Sequence, residues 1–138
     1  MPVPQWIMAL RPVPVGDIPE TTRQVARAAF PKGNLYLRLR DELGTLYTDE
    51  DFAALYPSQG RPTLPAWPLA LVTVLQFLEN LSDRQAAEAV RARIDWKYAL
   101  GLDLTDAGFD FSALSEFRTR MVAGGAGQLL LEKMLGHF

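Results

Sequence analysis

Residues 81–120 read LSDRQAAEAVRARIDWKYALGLDLTDAGFDFSALSEFRTR and carry two start signals for helices. Ser82 stands where an N-cap belongs, Asp83 suits the positive end of a helix, and Gln85 sits where a capping-box partner would. A helix therefore starts at Ser82. Ala86, Ala89, Val90 and Ile94 recur at roughly helical spacing on one side, while Arg84, Glu88 and Arg91 share another, solvated side. Asp95 opens a short helix that Gly101 stops, and a loop over 103–110 follows. Ser112 is the cap candidate for the next helix, in which Leu114, Phe117 and Met121 make one apolar stripe. Ser112, Ser115, Glu116 and Thr119 point away from that stripe, and Arg118 and Arg120 flank it.

Upstream lies the one long apolar run, 66–78, interrupted by Pro68. It is too short for the roughly 20 residues that span a bilayer, so it reads as a buried core helix starting near Pro68 and ending at Asn80. Only Thr73 and Gln76 soften its faces, and a helix apolar all round must be surrounded by others. Further back, Thr21 with Gln24 can cap a helix ended by Pro31 and Gly33, a second helix runs over 35–43 before Gly44, and Thr48 starts a third with Phe52, Leu55 and Tyr56 inward. Residues 58–65 form a linker rich in glycine and proline. Five of the ten prolines fall in residues 1–19, which reads as an extended arm. Gly124, Gly125 and Gly127 break the chain before a last helix over 128–135. With no alternating strand pattern, the expected fold is all-α: an orthogonal multi-helix domain over 20–138 around a buried central helix, with a proline-rich arm.

At 138 residues, about half of them apolar, the chain is long enough for one domain with a real core. It has no cysteine, which excludes disulfides and thiolate metal sites, and no signal-peptide pattern, so a cytoplasmic location away from membranes is expected. The net charge of −2 argues against a protein that coats nucleic acid indiscriminately. Its distribution says more. Residues 21–40 hold Arg23, Arg27, Lys32, Arg38 and Arg40 and no acid, whereas 41–51 hold five acids and no base.

Chemistry of the catalytic kind finds little support. Asp103, Asp106 and Asp110 match no calcium-loop spacing and read as capping or turn carboxylates; His137 is the sole histidine; and the glycines at 124–127 lack a phosphate-loop lysine. No metal, cofactor or catalytic residue is assigned. The tryptophans Trp6, Trp67 and Trp96 could stack on bases, but their apolar neighbours favour packing. Eleven arginines against three lysines suit bidentate phosphate or guanine contacts, although a GC-rich coding sequence would also raise arginine. Asn80-Leu81-Ser82, between two helices, has the length of a helix-turn-helix turn.

Gly60-Arg61-Pro62, the apolar run to Leu78, Leu81-Ser82-Asp83-Arg84-Gln85, Trp96-Lys97-Tyr98 with Gly101-Leu102, and Ser112-Ala113-Leu114-Ser115-Glu116-Phe117-Arg118 together resemble the N-terminal domain of InsH-type insertion-sequence transposases. The similarity runs from about Phe30 onward. It implies a helical domain preceding a catalytic domain whose three carboxylates bind metal on an RNase-H-like sheet, and no stretch here resembles that sheet. Many relatives carry histidine where this chain has Phe111, so no polar role transfers to that position.

The expectation is a domain that helps bind the double-stranded DNA of element ends and does not cut it alone. Candidate contacts are Arg23, Arg27, Arg38 and Arg40 in the basic block, Arg84, Arg91 and Arg93, and Ser115, Arg118, Thr119 and Arg120 on a recognition-helix candidate. A helical wheel leaves the Arg118 guanidinium at the stripe's edge, free for a phosphate, a base edge or an acid of the following domain; the alternative is a pairing with Glu116 or Asp110. The rival readings are a module for self-association or for docking on the catalytic domain, favoured by Leu129, Leu130, Leu131, Met134 and Leu135, and an inactive truncated remnant.

Overall fold

A computed structural model of the chain describes residues 17–44, 47–48, 50–52 and 65–125. Among these, six α-helices and no strand occur: α1 Glu20–Ala29, α2 Leu35–Leu43, α3 Ala66–Glu79, α4 Asp83–Ala92, α5 Ile94–Leu100 and α6 Phe111–Ala123. The fold is all-α, as the periodicities require. The proline-rich arm over 1–16, most of the 58–65 linker, Leu55, Tyr56 and the helix expected over 128–135 lie outside the described residues.

Two helix starts, those of α1 and α6, differ from the sequence reading, each for a local reason. Thr21 does not cap α1; Pro19 occupies the N-cap with no side-chain bond, and its carbonyl accepts from Arg23 N, leaving Thr21 exposed in the first turn. At α6 the cap is Asp110, whose carboxylate accepts from both the backbone N–H and the hydroxyl of Ser112. A carboxylate reaches two donors at once, and its charge favours the helix N-terminus, which a serine cannot match. α3 begins at Ala66, so Pro68 sits inside the first turn, where its missing N–H costs no intrahelical bond. Around 48–52, only a short 3₁₀ turn at 50–52 is described, with Thr48 N donating to Asp51 Oδ2.

α4 starts as its sequence dictates. Ser82 Oγ accepts from Gln85 N at 3.1 Å and Gln85 Oε1 accepts from Ser82 N at 2.9 Å, a reciprocal capping box. α2 starts at Asn34, whose Oδ1 accepts from Leu37 N. α3 ends at Asn80 in the left-handed region, φ 56°, with Leu81 N donating back to Gln76 O; asparagine tolerates that conformation where branched residues do not.

α3 packs on α4 and α6, α4 also packs on α6 and α5, and α5 lies against α1 and α2. The first two-thirds of α3 is buried as expected, with Leu71, Val72 and Leu75 fully enclosed beside Phe117 and Leu114 of α6. Its last turn is not: Phe77 and Leu78 are exposed. The element most completely enclosed is α5, where residues 95–100 are all buried, Asp95 and Lys97 included. Trp96 faces the main core, edge-on to Tyr36, while Tyr98 joins Ile18, Ala26 and Leu37 in a smaller one. Trp67 and Trp96 are thus packing residues, and Trp6 lies outside the described residues.

The loop over 103–110 is tied down by buried groups. Lys97 Nζ donates to Asp106 O, and Asp106 Oδ1 accepts from Gly108 N. Gly108 has φ +77°, and a Cβ there would lie 2.8 Å from Val90 Cγ1, so this position requires glycine for both conformation and space. Asp106 and Asp110 are turn and cap carboxylates, as their spacing suggests, and no cluster of metal-ligating side chains occurs among the described residues.

Candidate functional site

The eleven side chains expected to meet a partner divide by what they already hold. Arg93 is committed to the fold. Its guanidinium donates to Glu79 Oε1 at 2.6 Å and to both oxygens of Asp95, and lies 5.6 Å from the Tyr36 ring and 5.2 Å from the Trp96 ring. Tyr36 Oη and Trp96 Nε1 also donate to Glu79 Oε2, and Asn34 Nδ2 donates to Asp95. Burial pulls the Arg93 pKa down, but the bonds to Asp95 and Glu79 outweigh it and hold it above the usual range. Glu79 is held below the usual carboxylate range, chiefly by the Arg93 bond. One buried-edge network thus joins α2, α3 and α5.

Arg40 is likewise internal. It is buried, donates to Ala99 O at 3.0 Å near the C-terminal end of α5, and lies where a side chain at Gly101 would meet its guanidinium at 3.4 Å. A cation there complements the negative end of the helix. Arg27 forms an ion pair with Asp41, donates to Tyr98 Oη at 2.8 Å, and lies 5.2 Å from the Tyr98 ring, while Tyr98 Oη donates to Asp41. Burial raises the Asp41 pKa, and the bonds from Tyr98 and Arg27 overcome it and set it below the usual range. The acid-free block and the base-free block of the sequence therefore meet each other in space at this pair.

Arg118 does not have a free guanidinium, and neither Glu116 nor Asp110 is its partner. It forms a two-pronged ion pair with Asp83 of α4, Nη1 to Oδ1 at 2.5 Å and Nη2 to Oδ2 at 2.7 Å. Gln76 Nε2 of α3 donates to the same Asp83 Oδ1 at 2.9 Å. The Arg118 bond is the main reason the Asp83 carboxyl lies below the usual range. Helical-wheel logic placed Arg118 correctly at the edge of the stripe; it could not see that α4 presents an acid to that edge.

The outward-facing candidates are fewer. Arg38 on α2 and Arg84 and Arg91 on α4 are exposed, and Arg23 sits at the surface 3.7 Å from Glu20. Arg84 lies 4.0 Å above the Phe111 ring, so Phe111 supplies an aromatic support for an arginine. Ser115 and Thr119 are exposed, but their hydroxyls donate to the carbonyls of Ser112 and Ser115 within α6. Arg120 is half-buried and has contacts of its own. No helix among the described residues is long and apolar enough to cross a membrane.

Residues 24–120 match a family model described as a transposase domain, DUF772. No curated protein and no solved structure matches the chain.

Proposed function

This chain belongs to the DUF772 transposase domain family, and on that premise we propose that it is the DNA-binding N-terminal domain of an InsH-type insertion-sequence transposase, which helps recognise element ends and leaves strand cleavage to a catalytic domain. The family match over residues 24–120 carries the proposal. The surface supports it, because Arg38, Arg84 and Arg91 project outward rather than into the ion pairs that hold Arg27, Arg93 and Arg118. Cations so placed neutralise phosphates and release condensed counterions.

The test is binding of the chain to duplexes carrying the element's terminal sequence and to scrambled controls, over a range of salt. Tighter binding to the terminal sequence, steep salt dependence and a shallower salt slope for Arg38→Gln at unchanged melting temperature are expected. Equal, salt-insensitive binding to both duplexes overturns the proposal, and metal-dependent nicking by the pure chain overturns its non-catalytic part.

A second reading, a docking or self-association module, is favoured by one observation: Phe77 on α3 and Val122 on α6 are 82% and 80% exposed. Sedimentation showing a salt-resistant dimer that Phe77→Ser dissolves would support it over DNA binding.

A further inference from the structure

The α3–α4 joint combines features that none of its residues has alone. Its three residues, 80–82, are fixed at one side by Asn80 in the left-handed region and at the other by the Ser82–Gln85 capping box. Immediately after them Asp83 receives hydrogen bonds from two other helices, Gln76 of α3 and Arg118 of α6. One carboxylate therefore ties the end of α3, the start of α4 and the middle of α6. Gln76 Oε1 is buried without a hydrogen-bond partner, so this residue is held by its bond to Asp83 at the cost of an unpaired acceptor.

Fixing the start of α4 fixes the direction of its outward face. Ala86, Ala89 and Val90 bury the inner side, which leaves Arg84, Glu88 and Arg91 exposed on successive turns. Arg84 is held against the Phe111 ring, contributed by the first residue of α6, the same helix that contributes Arg118. α6 thus holds α4 at two points besides the apolar packing of the two helices in the core.

We infer that α4 is the helix presented to duplex DNA, with Arg84 and Arg91 on phosphates, and that Arg118 is a positioning residue acting through Asp83. This rests on the DNA-binding reading above and reverses the direct-contact role that the sequence alone suggested for Arg118. Mechanically, a helix free to pivot about its turn would spread Arg84 and Arg91 over many positions, and part of the binding free energy would go to ordering them. The clamp and the buried Ala86, Ala89 and Val90 together remove that freedom before DNA arrives.

Two readouts separate the roles, measured on the intact chain with a labelled mixed-sequence duplex over a salt series. Arg84→Gln and Arg91→Gln should each reduce the slope of log affinity against log salt by about 0.9, one phosphate's worth, with melting temperature unchanged for Arg91→Gln and slightly lowered for Arg84→Gln, which also loses its contact with the Phe111 ring. Arg118→Ala should leave the slope alone and weaken binding about 2- to 30-fold, a typical range for coupling through a packed network. Asp83→Asn decides the matter. If Arg118 acts through Asp83, removing this acid weakens binding despite the gain in positive charge, and the double variant is no weaker than either single one. Should Arg118 touch DNA directly, Asp83→Asn would instead tighten binding, and Arg118→Ala would flatten the slope; that result overturns the inference. Should Arg118→Ala lose its helical circular dichroism, Arg118→Gln, which removes the charge and keeps most of the side chain, makes the same comparison. A wild-type chain that binds with a steep slope unaffected by Arg84→Gln and Arg91→Gln refutes the α4 surface but spares DNA binding, whereas a wild-type chain that does not bind refutes the reading beneath it.

Discussion

Asp83 is the residue at which local and long-range chemistry meet. At the first position of α4 an acid suits the helix dipole, which any sequence reading finds, yet its strongest partner is Arg118, 35 residues away. Because the Arg118 bond depresses its folded pKa, the carboxylate contributes stability that is full above its unfolded pKa and is lost as pH falls through the folded one. Arg118 is about two-fifths exposed, so the pair is screened and worth about 1 kcal/mol at most. Asp83→Asn should therefore melt below wild type above about pH 5, with the gap closing below about pH 4. Thermal melts across that range check this, and a gap that does not change with pH would mean that the ion pair does not hold Asp83.

At the scale of helices, the capping signals differ in how much they depend on neighbours. Ser82 and Gln85 satisfy each other across three residues, so Ser82→Ala should cost about 1 kcal/mol. Thr21 has the same chemistry but sits beyond Pro19, inside the first turn of α1, and Thr21→Ala should change stability by less than about 0.5 kcal/mol. Denaturant midpoints of the two variants compare them directly. Equal losses would place the α1 cap at Thr21 after all. The contrast also explains the miss at α6: Ser112 fits the cap pattern by itself, but Asp110, two residues earlier, binds both its N–H and its hydroxyl.

Across the whole molecule, seven-residue α5 has an importance out of proportion to its length. It touches α1, α2 and α4, contributes Trp96 to the larger core and Tyr98 to the smaller, and its Asp95 belongs to the Arg93–Glu79 network. Trp96→Ala should cost about 3–5 kcal/mol, a large part of the 5–15 kcal/mol that holds a typical domain. Unfolding followed by far-UV circular dichroism and by tyrosine fluorescence should shift together, because one helix joins both cores. Transitions that separate in the variant would show that the α1–α2 and α3–α4–α6 parts unfold independently.

The sequence by itself determined the helical class, the α4 capping box, the buried faces of α3, α4 and α6, the Gly124 break and the resemblance to transposases, because each is written within a few turns of chain. It also marked nine of the eleven arginines as candidate contacts, since periodicity places a side chain on a face but not opposite a partner. Tertiary structure alone decided which arginines find partners within the fold. Arg27 meets Asp41, Arg93 meets Glu79 and Asp95, Arg118 meets Asp83, and Arg40 enters the end of α5, while Arg38, Arg84 and Arg91 remain exposed. The physical reason is distance along the chain: apart from Asp95, these partners lie 14 to 59 residues from their arginines, so the assignments come only from how the helices pack.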